Sequence, residues 1–301
     1  MRELLRRPWL GPLVALVLVY FLFALLSPDT FARGINLETM ARQTVVVVIA
    51  AVGMTLVMVE GGIDLSVGSL VALTTVVVAR MLRADAGPLE AALVGVLVGA
   101  AFGVVNGALV AGLRITPFIV TLGSMSILRG LAKGLAGEQK IDADPRGLDE
   151  LMAVLRDDRA WMLLPAGVWL ALGVAFCAAG VLGYTRFGRH LVAIGSNEQT
   201  ARLCGVAVPR VTVVVYGLAG LLAGLAGVME YATLTVGDPT DSIGLELEVI
   251  AAVVIGGGSL SGGQGSIAGS VLGALLMTVI KTGCTHIGLP NWVQEILTGG
   301  I

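Results

Sequence analysis

Charged side chains are scarce in this sequence: they make up 13% of its 301 residues, against roughly 25% in soluble domains. Hydrophobic residues make up 56%, and the mean hydropathy is +0.92. A soluble protein of this composition would have too little polar surface to face water, so the composition indicates an integral membrane protein. The net charge of −2 provides no basic field for nucleic acid, and we expect no nucleic-acid partner.

Cysteine and histidine are also rare. Cys177, Cys204 and Cys284 are odd in number and widely spaced, which indicates neither a disulfide framework nor a metal motif. His190 and His286 are far apart, and no H-E-x-x-H or G-x-S-x-G pattern occurs. We therefore predict no metal site and no catalytic residue, which makes a membrane-embedded enzyme an unfavoured function.

The chain lacks a phosphate-binding loop of the G-x-x-x-x-G-K-[ST] type. This absence matters because residues 260–264 spell Leu-Ser-Gly-Gly-Gln, the signature sequence of ABC ATPases. The pentapeptide lies between two predicted membrane spans, and we interpret it as a Gly/Ser turn. We expect no cofactor to bind this chain.

The sequence does contain many apolar runs of about 20 residues, the length that crosses a hydrocarbon core of ~30 Å. They predict spans near residues 9–27, 41–59, 66–84, 89–113, 116–134, 161–183, 211–233, 246–256 and 265–283. The short run 246–256 ends in glycines, so we predict a broken helix near 256–264, which is tolerated only where protein or a water-filled cavity surrounds it. A tenth span begins near Trp292, and its ten residues to Ile301 rise ~15 Å, about half a bilayer.

These runs predict an all-α polytopic membrane helix bundle. We expect about ten transmembrane helices in a single domain over residues 1–301, with either a truncated C-terminus or an incomplete last helix. The N-terminal apolar run follows Arg2, Arg6 and Arg7 but lacks a cleavage site, so we interpret it as a retained helix. The loop charges do not by themselves decide the orientation. The basic N-terminus and the long acidic loop 135–160 favour a cytoplasmic N-terminus and an outer location for that loop.

Glycines recur at helical spacing. Gly95, Gly99, Gly103 and Gly107 form a stripe with a step of four residues. Such stripes let helix backbones approach closely and pack by van der Waals contact, which is the role that we predict. A sliding or gating role for the stripe is the alternative.

Asp64, Asn106 and Ser124 are candidate residues of a translocation path. An acidic residue at membrane depth is costly and therefore suggests a function. The alternative for Asp64 is capping, since either Asp64 or Ser66 can cap a helix that starts at Leu65. Asn106 and Ser124 can instead bond a neighbouring helix. The other polar side chains within or at the ends of spans are Gln43 and Glu230.

Loop 184–210 is polar, too long for a tight turn, and on the predicted cytoplasmic side. Ser196 or Asn197 can cap a short helix that runs to Leu203, with Gly205 just past its end. Such a helix along the membrane face is either a docking element for a soluble partner or simply a solvated loop helix.

Several motifs together carry a resemblance to a known family. They lie at residues 52–55, 60–69, 106–107, 115–123, 129–130, 185–189, 193–197 and 246–263. In combination they resemble the permease subunits of bacterial ABC importers for monosaccharides, the ribose, xylose and galactose group. The resemblance extends from about residue 40 to 297.

The resemblance implies about ten spans with both ends in the cytoplasm, in a bacterial plasma (inner) membrane. It also implies membrane lipid around the chain, a second permease copy, identical or different, ABC ATPase subunits that bind ATP and Mg, and a periplasmic or lipid-anchored sugar-binding protein. The segment from Gly195 to Gly205 would be the coupling helix that sits in a groove of the ATPase. Its residues are Gly195, Ser196, Asn197, Glu198, Gln199, Thr200, Ala201, Arg202 and Gly205.

The leading hypothesis is a pore-forming permease subunit that translocates a ribose-like monosaccharide and has no catalytic site. One alternative is an ABC permease for another small solute, such as branched-chain amino acids. The other is an ion-coupled secondary transporter, which would place ion ligands at broken helices. The predicted break at 256–264 permits this last alternative, whereas the scarcity of intramembrane carboxylates weighs against it.

Overall fold

The computed structural model describes residues 9–155 and 161–300, and most of them are helical. The helices are α1 (Leu10–Leu26), α2 (Gly34–Glu60), α3 (Val67–Arg83), α4 (Pro88–Leu113), α5 (Pro117–Ala136), α6 (Ala166–Tyr184), α7 (Arg186–Ser196), α8 (Glu198–Leu203), α9 (Val208–Leu234), α10 (Leu245–Ile255), α11 (Ile267–His286) and α12 (Asn291–Gly300). The predicted features that lie outside the described residues are Arg2, Arg6, Arg7, residues 156–160 of the predicted outer loop, and Ile301.

Six of the described helices are long and apolar enough to cross a membrane: α2, α4, α5, α6, α9 and α11. Helices α1 and α3 have 17 residues each, and α10 has 11. Seventeen residues rise ~25 Å, slightly less than a hydrocarbon core of ~30 Å. A helical membrane bundle is therefore confirmed, whereas the predicted count of about ten spans is not.

Burial distinguishes a central helix from peripheral ones. In α2, every residue from Thr44 to Glu60 is buried. The peripheral helices α4, α5 and α6 instead expose large apolar side chains such as Leu97, Ile127 and Phe176. Exposed apolar side chains of this kind suit a surface that faces lipid, where no polar group would find a partner.

The glycine stripe of α4 lies against α9 and forms the most extensive helix–helix contact of the bundle. A Cβ atom built on Gly99 would lie 2.4 Å from the carbonyl oxygen of Gly220, and one built on Gly103 would lie 2.2 Å from that of Tyr216. Gly220 faces α4 in the same way, since a Cβ atom built on it would lie 2.3 Å from the Gly99 carbonyl oxygen. The two backbones therefore approach too closely for any side chain larger than hydrogen.

A short strand pair links the long loop to the segment that precedes α10. Strand β1 (Ile141–Asp142) pairs antiparallel with β2 (Val236–Gly237). Next to this pair, the Lys140 ammonium lies 2.8 Å from the Asp238 carboxylate. Burial raises the pKa of Asp238, but hydrogen bonds from Lys140 and Thr240 outweigh it and hold that pKa below its usual value of 3.8.

The segment after β2 enters the bundle before α10 begins. Arg129 of α5 donates hydrogen bonds to the carbonyl oxygens of Pro239, at 3.0 Å, and Asp241, at 2.6 Å. A Cβ built on Gly68 of α3 would lie 2.5 Å from the Ser242 carbonyl oxygen. Helix α10 therefore starts against the first turn of α3, which accounts for its short length.

Replacing Gly103 by alanine is expected to lower the thermal stability of the detergent-solubilised protein. The added methyl group meets backbone atoms of α9, and overpacking of this kind costs about 1–3 kcal/mol. Gly112→Ala, on the same helix, is the matched control because nothing lies within 4 Å of its added methyl group. Thermal unfolding of both variants checks the prediction, and equal unfolding temperatures would contradict the close approach of α4 and α9.

Candidate functional site

Two interruptions of helical structure separate neighbouring helices of the bundle. The first comprises residues 61–66, between α2 and α3. It begins at Gly61, whose φ of +98° suits glycine and whose N–H donates to the Met58 carbonyl oxygen. The second comprises residues 256–266, between α10 and α11, and includes the predicted break at 256–264.

The two interruptions meet each other and the end of α7. The Gly263 N–H donates to the Val59 carbonyl oxygen at 2.9 Å. A Cβ built on Gly195, near the end of α7, would lie 2.0 Å from the same oxygen and 2.4 Å from the Gly263 nitrogen. A Cβ built on Gly262 would lie 2.9 Å from the Cα of Gly61. Three segments from distant parts of the chain therefore touch through their backbones at Gly195.

The predicted loop 184–210 contains two helices, α7 and α8. Asn197 separates them, and its Oδ1 accepts a hydrogen bond from the Thr200 N–H at 2.8 Å, so Asn197 caps α8. The alternative cap, Ser196, instead donates to the Val192 carbonyl oxygen at 2.7 Å. Helix α8 ends at Leu203, and Gly205 follows with φ +85°.

Helix α7 was not predicted from the sequence, although a signal for it is present. Its N-terminus is capped by Thr185, whose hydroxyl accepts a hydrogen bond from the Gly188 N–H at 3.1 Å. The buried residues Gly188, Leu191 and Ile194 recur every third position, which is typical of one face of a helix. The polar residues Arg186, Arg189 and His190 nevertheless favour a loop when the sequence is considered alone.

Helix α8 presents most of its surface outward. Ala201 is buried, whereas the side chains of Glu198, Gln199, Thr200 and Arg202 are exposed. Glu198 and Arg202 form an ion pair at 2.5 Å along the exposed face. Leu203, at the end of the helix, is 89% exposed. An exposed apolar side chain beside a charged pair is a suitable surface for a protein partner.

The three candidate path residues belong to one hydrogen-bonded chain. The Ser66 hydroxyl donates to Asp64 Oδ1 at 2.5 Å and accepts from Asn106 Nδ2 at 3.0 Å. The Ser124 hydroxyl in turn donates to Asn106 Oδ1 at 2.5 Å. The network ties the first interruption to α4 and α5, so Asn106 and Ser124 bond across neighbouring helices.

The capping role considered for Asp64 and Ser66 is wrong. Helix α3 begins at Val67 rather than Leu65, and the side chain of Ser66, the residue before it, makes no capping hydrogen bond. Ser66 already has helical backbone angles, with φ −78° and ψ −9°, whereas a capping residue is normally extended. Asp64 Oδ1 accepts the Ser66 N–H instead, at 2.9 Å.

Two of the cavities on the described part of the bundle contain polar side chains of interest. One, of about 390 Å³, lies beside α8 and includes Glu60, Arg114 and Tyr216 in its lining. The other, of about 790 Å³, includes Gln43 and Glu230, the two further polar residues noted in the sequence. Its lining also includes the ion pair between Lys281 and Glu248.

Neither lining includes Asp64, Asn106 or Ser124, whose role in a path stays a prediction. The sequence did not point to Tyr216, because a single tyrosine in an apolar helix has no distinguishing pattern.

Replacing Ser124 by alanine is expected to destabilise the protein by about 1–3 kcal/mol. The change leaves Oδ1 of Asn106, which is 2% exposed, without its donor, and unpaired buried polar atoms cost about that much. Ser126→Ala is the control, since the Ser126 hydroxyl is exposed and its hydrogen bond to the Leu122 carbonyl oxygen is long, at 3.5 Å. Thermal unfolding in detergent compares them, and a Ser124→Ala variant as stable as the control would rule out the network.

Known permeases resemble this chain along nearly its whole length. Residues 36–301 match the family described as branched-chain amino acid transport system / permease component. The chain is 39% identical over 300 residues to the ribose import permease protein RbsC of Escherichia coli (strain K12), an alignment that covers 98% of this chain and 92% of that protein. No solved structure matches the chain.

Two further relatives are named for the import of other substrates. The autoinducer 2 import system permease protein LsrC of Yersinia pseudotuberculosis serotype O:1b (strain IP 31758) is 36% identical over 287 residues, covering 95% of this chain and 80% of that protein. The L-arabinose ABC transporter permease protein AraH of Azospirillum brasilense is 34% identical over 291 residues, covering 96% of this chain and 84% of that protein.

Proposed function

The chain belongs to the family described as branched-chain amino acid transport system / permease component, and on that premise we propose that it is the membrane subunit of an ABC importer for a monosaccharide. The observation that carries this function is the similarity along nearly the whole chain to permeases named for ribose and L-arabinose import. The chain is a multi-pass protein of the bacterial inner membrane.

The relatives also separate the proposal from its alternatives. RbsC, LsrC and AraH are named for import of ribose, autoinducer 2 and L-arabinose, and none of those names refers to an amino acid. Branched-chain amino acids are therefore not favoured as substrates, although the family description mentions them. An ion-coupled secondary transporter is not favoured either.

The proposed assembly follows from this role. Two permease copies would form the pathway, an ABC ATPase would bind ATP and Mg, and an external binding protein would deliver the sugar. We also propose a cytoplasmic N-terminus and ten spans, in which α1, α3, α10 and α12 join the six long helices. In this arrangement α8 lies on the cytoplasmic face and the loop 135–160 lies outside.

Helix α8 would be the coupling helix of this assembly. Its exposed Glu198, Arg202 and Leu203 would contact the ATPase. Movement of α8 would reach the bundle through Gly195, because backbone contacts at this glycine join α7 to both interruptions. Rigid-body movement of packed helices is a common means of switching between two states.

The proposal is tested in proteoliposomes that contain the permease, the ATPase encoded beside it and the cognate binding protein. Binding protein loaded with one sugar of a panel is expected to stimulate ATP hydrolysis, whereas unloaded protein is not. Failure of every sugar to stimulate, combined with solute uptake driven by an ion gradient alone, would exclude an ABC importer.

Charge reversal on α8 tests the coupling role. Glu198→Lys removes the intrahelical ion pair and reverses one exposed charge, so we expect at least about a tenfold weaker association with the ATPase. The exchange Glu198→Arg with Arg202→Glu keeps a pair within α8 but reverses the order of its charges. Pull-down of the ATPase measures both variants.

The double exchange distinguishes a partner contact from a folding effect. If the two charges contact the ATPase, both variants lose association with it. If the ion pair only stabilises α8, the double exchange restores association. Unchanged association in both variants would show that α8 is not the coupling helix.

A further inference from the structure

The smaller cavity lies between α8 and the cytoplasmic ends assigned above to the spanning helices. Its walls come from α2, from α4 and α5, and from α7, α8 and α9, three stretches that are far apart in the sequence. Its volume of about 390 Å³ lies in the range of roughly 300–1,000 Å³ that small-molecule sites occupy. Glu198 and Arg202 of α8 form part of the lining, so a molecule in the cavity would touch the proposed coupling helix.

Two polar atoms in this lining have no partner among the described residues. Glu60 is 8% exposed, and its Oε1 accepts a hydrogen bond from the Thr212 hydroxyl at 2.5 Å, while its Oε2 has none. Tyr216 is 1% exposed, and its hydroxyl is also unpaired. A buried carboxylate oxygen can only accept, and a phenol can donate or accept. Each of these oxygens has less than 1 Å² of accessible surface, so a ligand in the cavity bonds it once the side chain turns toward the lining.

The remaining lining restricts the chemistry of such a ligand. The carboxylates of Glu60 and Glu198 balance the guanidinium groups of Arg114 and Arg202, so the formal charges of the lining cancel. Much of the rest is apolar: Val110, Ala111, Ile115, Pro117, Ile194, Val208 and Pro209. A neutral molecule with several hydroxyl groups and a compact carbon frame suits this combination better than an anion or an amino acid.

We propose that this cavity is a subsite for the sugar on the cytoplasmic side of the pathway, held by Glu60 and Tyr216 and closed on one side by α8. The inference rests on the proposed sugar import and deepens it. In the occupied subsite, Glu60 Oε2 accepts from one sugar hydroxyl, and the Tyr216 hydroxyl bonds a second one. Because α8 forms one wall, the bound sugar contacts the coupling helix.

Protection of an introduced thiol tests the subsite in the assembled importer in proteoliposomes. Ala111→Cys places the thiol in the cavity wall, with the exposed Cys177 and Cys204 replaced by serine and the buried Cys284 retained. The rate of alkylation by a membrane-impermeant maleimide is measured at increasing concentrations of D-ribose, L-arabinose, D-xylose or D-galactose. At least one sugar is expected to lower this rate to a plateau, whereas leucine and inorganic phosphate are expected to leave it unchanged.

Tyr216→Phe distinguishes a contact with the sugar from a purely structural role of the hydroxyl. Its hydroxyl makes no hydrogen bond to the described protein, so its loss should leave thermal stability unchanged or higher. Loss of one hydrogen bond to the sugar should raise the concentration needed for protection by about tenfold. Glu60→Gln, which replaces the free acceptor by an amide, should weaken protection as well.

Tyr231→Phe is the matched control on the same helix. The Tyr231 hydroxyl donates to the Ala143 carbonyl oxygen at 3.1 Å and is not part of the cavity lining. This variant should lose stability and keep full protection, the opposite of Tyr216→Phe.

Absence of protection by every sugar, or equal protection in Tyr216→Phe and its parent, would overturn the inference. Protection by phosphate or leucine alone would overturn it too. Protection requires no ATP hydrolysis, so it is read independently of the import assay. If loaded binding protein stimulates ATP hydrolysis but no sugar protects the thiol, sugar import stands and the subsite fails.

Discussion

Backbone polar groups in a membrane must find partners within the protein, and this constraint determines how the bundle is built. Each interruption of a helix frees N–H and C=O groups that lipid cannot satisfy. Here the two interruptions, at 61–66 and 256–266, lie against each other at Gly61 and Gly262, and the Gly263 N–H donates to the carbonyl oxygen of Val59 near the end of α2. The Ser66 N–H is taken by the Asp64 carboxylate, and the Ser259 N–H by the Gln264 carbonyl oxygen.

The same requirement gives the proposed coupling segment its connection to the core. Backbones approach so closely at Gly195 that a single methyl group would collide with Val59 and Gly263. A contact made of backbone atoms cannot adjust by changing a rotamer, so displacement of α7 must displace one of the interruptions. The smaller cavity lies next to this contact, and Glu60, one residue from Val59, lines it. Coupling and the proposed sugar subsite therefore share one region of the fold.

Polar side chains inside the bundle fall into two groups with different physical roles. Asp64, Asn106 and Ser124 satisfy one another in a chain of hydrogen bonds that ties α4 and α5 to the first interruption. Glu60 and Tyr216 instead keep one oxygen each without a partner among the described residues. A satisfied network holds helices in place, whereas a buried unpaired oxygen leaves a hydrogen bond unmade, which in the proposed subsite the sugar supplies.

The sequence alone determined where the long helices lie, because apolar length and local caps are properties of neighbouring residues. Residues 89–113 were predicted and Pro88–Leu113 is observed, and the helix ending at Leu203 follows its cap Asn197. Only the tertiary structure decided that α7 is a helix, that Asp64 does not cap α3, and that Gly195 joins two interruptions. It also brought Glu60 and Tyr216 to one cavity. These features depend on contacts between residues far apart in the chain, which no local pattern encodes.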